Sequence, residues 1–242
     1  MTASDITAAP VTPGIPEQPP EVSSARMIMT MAGIGIISGI LLVTSYVGTL
    51  PTIQRNKAEA LERAIFEVVP GATSKVTFTV DGDTLRVVNA NEKAREKYYA
   101  AYNDEGDLVG VAVEAQGQGF ADIIKILYGY SPACQCVVGM KVLETKETPG
   151  LGDKIEKDPV FVSNFDALDV RLGPDGQAPA NPVVFAKRGQ KTEAWQIEGI
   201  TGATISSKAI TNIMHSSSAH VVALLEHNLQ VLKDGKLSAQ SD

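Results

Sequence analysis

The sequence predicts an α+β protein: a single N-terminal transmembrane helix, then one domain of antiparallel strands closed by a long C-terminal helix. Three observations carry this expectation. Met27 to Leu50 is an uninterrupted run dominated by Ile, Leu, Val, Met, Ala and Gly. The middle of the chain holds strand-like alternations separated by turn residues, without the regular βαβ repetition of a parallel sheet. Near the end, Ile210, Ile213, Met214, Val221, Leu224, Leu225 and Leu232 recur at helical spacing.

Residues 1–25 read as a disordered tail, because Pro10, Pro13, Pro16, Pro19 and Pro20 interrupt any helix and favour extended conformations. Residues 26–50 form the anchor. No charged residue lies between Arg26 and Arg55, and a helix over Met27–Leu50 is roughly 35 Å long, enough to cross a hydrocarbon core of about 30 Å. No convincing small-residue cleavage site follows it, so the anchor is expected to stay uncleaved. Residues 51–72 continue as a linking helix with Leu61, Ile65 and Val68 on one side, stopped by Pro70-Gly71. The domain proper is 73–233, and 234–242 is a short tail. Within the domain, Val76, Phe78 and Val80 turn at Asp81-Gly82-Asp83 into Leu85 and Val87. Tyr98–Tyr102 and Leu108–Val113 form a second hairpin, Val138, Met140 and Val142 a half-buried strand, and Pro182–Phe185 and Ala194–Ile197 short strands. The last helix is expected over about Ser206–Val231.

Composition excludes several functions. The chain has 242 residues and a net charge of −7, which opposes nucleic-acid binding, since that requires a basic face. The two cysteines, Cys134 and Cys136, cannot supply a disulfide framework or a four-cysteine cluster. On an extended strand their Cα atoms would stand roughly 6.5–7 Å apart, at or beyond the limit for a disulfide. They are therefore expected as free thiols, or as half of a site completed by a partner. His215, His220 and His227 lack the i, i+4 spacing of a helical zinc site, and no metal is expected. Gly117-Gln-Gly119 and Gly150-Leu-Gly152 each begin like a dinucleotide fingerprint, but the third glycine falls on Asp122 and Ile155. Gly235-Lys236 lacks the earlier glycine of a P-loop.

Two stretches remain. Thr201-Gly202-Ala203-Thr204-Ile205-Ser206-Ser207 lies where a strand-like run turns into the last helix. Free N–H groups and the positive end of the helix dipole make that a place to hold a phosphate. Taken alone, it reads first as a helix start with Ser206 as N-cap and nothing bound. Glu147-Thr148-Pro149-Gly150-Leu151-Gly152 is a tight turn able to present backbone N–H groups and a leucine to a flat ligand; taken alone, it reads equally as a structural turn.

In this order, the two stretches resemble the signatures of the FMN-binding domain family. With the anchor and final helix they resemble the G subunit of Rnf-type ion-translocating electron transport complexes, and are similar to the C subunit of sodium-pumping NADH:quinone reductases. The resemblance implies covalent FMN, phosphoester-linked to Thr204, with Thr201, Gly202, Ala203 and Ile205 around it. It implies Glu147, Thr148, Leu151 and Gly152 against the isoalloxazine. Glu198 stands where the family usually has aspartate. It further implies a redox subunit that relays electrons between ferredoxin- and NAD-type couples, has no general acid or base of its own, and works as part of an oxidoreductase (translocase). Its expected partners are the other complex subunits, the membrane and a flavin transferase. The basic residues Arg55, Lys57 and Arg63 after the span outnumber Arg26 before it, and counted alone would keep the domain in the cytoplasm. The resemblance implies the opposite: a bacterial inner-membrane protein with a cytoplasmic tail and a periplasmic flavin domain. Two alternatives differ in kind: the quinone reductase subunit, and a membrane-tethered flavin-fold scaffold or sensor without a redox role.

Overall fold

A computed structural model describes residues 23–88, 94 and 96–239. The proline-rich tail up to residue 22 lies outside the described residues. One helix, α1, runs from Ser24 to Val68 with Pro51 inside it. It passes without a break through the segments read as anchor and linking helix. The chain forms two units, Met1–Gln54 and Arg55–Asp242. In the first, the apolar side chains of α1 face outward, Ile37 and Leu42 among them. Among the described residues, α1 is the one helix long and apolar enough to cross a membrane.

The second unit is built on a seven-stranded sheet in the order β2-β1-β3-β4-β5-β6-β7. Its strands are β1 (Ser74–Asp81), β2 (Thr84–Val87), β3 (Tyr98–Tyr102), β4 (Leu108–Gln118), β5 (Ile123–Ser131), β6 (Cys136–Glu144) and β7 (Leu168–Asp169). Every neighbouring pair is antiparallel. Short helices α2 (Lys154–Lys157) and α3 (Pro159–Val162) follow β6. A small parallel pair, β8 (Val184–Ala186) and β9 (Gln196–Glu198), then leads into helices α4 (Thr204–His227) and α5 (Leu229–Ala239).

The sheet is covered on both faces, and the pleat sorts the side chains between them. Tyr98, Ala100 and Tyr102 of β3 join the large core under α4, with Val111, Ile126, Tyr128 and Ile210. Tyr99 and Ala101 point the other way and pack with Ala112 and Leu127 against Ala64, Ile65 and Val68 of α1. On the α4 face, tyrosine hydroxyls reach across to the helices. Tyr128 meets Ser217 Oγ at 2.7 Å, Tyr130 donates to Glu226 Oε1 at 2.6 Å, and Tyr102 donates to the Leu232 carbonyl at 2.5 Å. A buried phenol without a partner would be costly, so these bonds set where the helices can sit. Burial pushes the Tyr102 hydroxyl up to about 12, which keeps it a donor.

On the α1 face the helix end lies in a glycine trench. A Cβ at Gly129 would overlap the Val68 carbonyl, and one at Gly139 would lie 2.7 Å from that oxygen. Backbone contacts of this kind tolerate no side chain at either position.

The structure completes or corrects the sequence reading at several points. Strand β5 has no counterpart in the sequence reading; it is buried on both faces along most of its length, so it shows no alternation. The small β8–β9 pair is parallel and stands apart from the antiparallel seven-stranded sheet. The last helix starts at Thr204, with Ala203 as N-cap instead of Ser206, and is broken at Asn228. The buried Asn228 side chain explains the break: it bonds Leu85 N, the Asp83 carbonyl and the Leu224 carbonyl, tying the break to the β1–β2 hairpin. Helix α5 then runs to Ala239, past residue 233. Cys134 and Cys136 are joined in a disulfide. The stretch is a turn and not extended strand: Gln135 has φ +50° and brings the Cα atoms to 5.2 Å, inside the normal disulfide range.

Gly129→Ala is expected to destabilise the detergent-solubilised chain by about 1–3 kcal/mol through overpacking against Val68, read as a lower thermal midpoint. Gly33→Ala, with open space around its Cβ position, should leave the midpoint unchanged.

Candidate flavin site

Three segments far apart in sequence meet at one buried carboxylate. Glu147 is 5% exposed. Its Oε1 accepts from Phe120 N at 2.8 Å and Ala121 N at 3.0 Å, and its Oε2 accepts from the Ser206 hydroxyl. The first segment is the β4–β5 turn, closed by Gly119 N to the Asp122 carbonyl at 2.9 Å. The second is the loop Glu147–Gly152, and the third is the first turn of α4. Hydrogen bonds to a charged acceptor are each worth about 1.5–3 kcal/mol, and an unsatisfied buried carboxylate is strongly unfavourable. The three segments are therefore held together as a set.

The loop is compact. The Thr148 carbonyl accepts from Leu151 N at 3.1 Å and Gly152 N at 3.0 Å, with Gly150 at φ +79°. A Cβ at Gly152 would lie 2.5 Å from Glu147 Oε2 and 3.0 Å from Ser206 Oγ, so only glycine lets the loop close on the helix start. Lys146 pairs with Asp122 at 2.5 Å beside it and holds the Asp122 carboxyl below its ordinary value.

At the helix start, Ser207 Oγ accepts from Ile200 N at 3.1 Å and donates to the Ala203 carbonyl at 2.9 Å. This bond pair fixes the turn in which Gly202 has φ +85°, a conformation that disfavours any side chain. No side chain caps α4 at Ala203. Thr201, Gly202, Thr204 and Ile205 are exposed, while Ala203, Ser206 and Ser207 are buried.

The structure thus brings the two sequence stretches together. Thr148, Leu151, Thr204 and Ile205 stand on the exposed side, and the Glu147 carboxylate lies behind them, used up by internal donors. Sequence reasoning missed the Phe120–Ala121 turn and the pairing of Ser206 with Glu147. The available signal was the Gly117-Gln-Gly119 pair: a Cβ at Gly117 would meet Ile213 Cγ1 at 2.6 Å, and one at Gly119 would meet Glu147 Oε1 at 2.5 Å. Those glycines record close packing, not a dinucleotide loop. Glu198 is engaged elsewhere, accepting from Gly189 N at 2.9 Å and pairing with Arg188 at 3.3 Å. Among the described residues no cluster of His, Cys, Asp and Glu is arranged to hold a metal.

The FMN-binding domain family matches residues 119–218, from the Gly119 turn through most of α4. The G subunit of an ion-translocating oxidoreductase complex from Methanosarcina acetivorans is 30% identical over 201 residues, covering 82% of this chain and 94% of the relative. The chain belongs to the family of G subunits of ion-translocating oxidoreductase complexes. A further G subunit, from the Na(+)-translocating ferredoxin:NAD(+) oxidoreductase complex of Acetobacterium woodii, is 30% identical over 186 residues, or 73% of this chain and 81% of the relative. In fold, the chain resembles the crystal structure of NqrC from Shewanella oneidensis, with a TM-score of 0.56 at 17% identity over 76% of this chain and 99% of that one.

Glu147→Ala leaves the Phe120 and Ala121 N–H groups without their acceptor. We expect a loss of about 1–3 kcal/mol and faster hydrogen exchange at the Phe120 and Ala121 amides in particular.

Proposed function

We propose that this chain is the membrane-anchored redox subunit of an ion-translocating complex of the ferredoxin/NAD type, relaying electrons through FMN joined by a phosphoester to Thr204. Membership of the G-subunit family supports the assignment to such a complex. The observation that carries the attachment point is the placement of Thr204: an exposed hydroxyl on the first residue of an uncapped, 24-residue helix, directly beside the clamped loop.

The residues present fit the group. Thr204 offers a hydroxyl for the phosphoester, and the N–H groups of the uncapped first turn of α4 would hold the phosphate. A Cβ at Gly202 would meet nothing within 4 Å, so space is open beside the attachment point. Thr148, Gly150 and Leu151 present an exposed polar and apolar surface next to it. When bound, FMN supplies the one- and two-electron chemistry, and the protein tunes it by hydrogen bonds and packing. Glu147 acts as a positioning residue: it holds loop and helix start in register without facing the ligand. Loading of Thr204 calls for a flavin transferase.

The Cys134–Cys136 disulfide supports the periplasmic orientation, because disulfides persist in oxidising compartments and are rare in the cytosol. It outweighs the small excess of basic residues after the span, a rule that weakens for large translocated domains. A covalent link suits that side of the membrane, where a lost cofactor has no cytosolic pool to replace it.

Mass spectrometry of the chain purified from native membranes should find FMN, less water, on the tryptic peptide containing Thr204. Thr204→Ala should lose the adduct and keep its fold, and an unmodified wild-type peptide would refute the attachment. For orientation, a membrane-impermeant maleimide applied to spheroplasts after mild reduction should label the cysteines; labelling only after lysis would place the domain in the cytoplasm.

A further inference from the structure

We propose that Phe120 is a flavin-contact residue which, with Leu151 and Ile205, forms the apolar bed for the isoalloxazine ring of the FMN on Thr204. The inference rests on the covalent FMN reading above and adds a residue outside both signature stretches.

Phe120 is 63% exposed, and among the described residues it is the one exposed aromatic outside the apolar span of α1. The turn that carries it is nonetheless firmly ordered. Two successive N–H groups, of Phe120 and Ala121, converge on Glu147 Oε1, and Asp122 pairs with Lys146 on the next position. A buried carboxylate thus orders a turn whose largest side chain stays in solvent. That arrangement has no use for the core, but it fits presentation of an aromatic ring to a ligand.

Each of the other two segments that meet at Glu147 also leaves one large apolar side chain outside. Leu151 is 52% exposed and precedes Gly152, whose backbone lies against Glu147 Oε2 and Ser206 Oγ. Ile205 is 57% exposed and precedes Ser206, which donates to that same oxygen. Three exposed apolar groups are thus carried by the three segments that converge on a single carboxylate, and Thr204 directly precedes one of them in the chain. A flat aromatic system tethered at Thr204 suits this set. Its faces need apolar cover, which these side chains supply.

The test uses the full-length flavinylated chain in detergent, with occupancy fixed by mass spectrometry of the Thr204 peptide. An indole in van der Waals contact with an excited flavin quenches it by electron transfer. Phe120→Trp should therefore shorten the flavin fluorescence lifetime several-fold at unchanged occupancy. Val231→Trp, on α5, should leave the lifetime as in wild type. Phe120→Ser should keep the adduct while iodide quenches the flavin more efficiently. Full occupancy with wild-type lifetime in Phe120→Trp and wild-type iodide quenching in Phe120→Ser would overturn the proposal. If the same variants also lost co-purifying subunits, the apolar rim would belong to a partner protein instead. Absence of flavin from the wild-type peptide would overturn the underlying reading and this inference with it.

Discussion

The buried carboxylate of Glu147 is the constraint on which the site depends. A charged group deep in a protein demands donors, and here they come from a β-turn and from a helix start, while close packing at Gly152 brings its own loop against them. Satisfying one carboxylate is thus the same event as assembling three ligand-facing segments. The clamp also explains a division of labour within the loop: Glu147 and Gly152 are inward and structural, while Thr148, Pro149, Gly150 and Leu151 are outward and available.

The clamp can work because both faces of the sheet are sealed. Helix α4 is fixed by the Tyr128 and Tyr130 hydroxyls of β5 and by the apolar row through Ile210 and Met214, so the position of its first residue is set by the whole length of the helix. On the other face, α1 approaches until backbone meets backbone at Gly129 and Gly139. The strands between these layers have no freedom to slide, and the β4–β5 turn is delivered to Glu147 at a fixed height.

Much of this was legible in the residues, for identifiable reasons. The span is an unbroken apolar run, and the early hairpins and the last helix carry strong periodicity; both signals depend only on local burial. The two signature stretches combine residue types with unusual backbone demands, so they stood out without any tertiary information. What was not legible depended on partners distant in sequence. Strand β5 lost its alternation because two helices cover it. The Asn228 break exists because a hairpin more than a hundred positions earlier needs capping. The Cys134–Cys136 bond requires a turn that is visible only through the left-handed conformation of Gln135, a residue with no special preference for it. Phe120 reads as an ordinary apolar residue until its exposure is seen.

Helix α1 has a consequence for where this protein can be divided. Its final turns contribute Ala64, Ile65 and Val68 to the smaller core, and the Val68 carbonyl fills the space at Gly129. The lipid-compatible and water-compatible parts of the molecule therefore share a single helix, with the change of solvent falling inside it. A soluble fragment begun after the helix would expose Tyr99, Ala112 and Leu127 and open a slot along three strands, whereas one begun near Arg55 would carry its own lid.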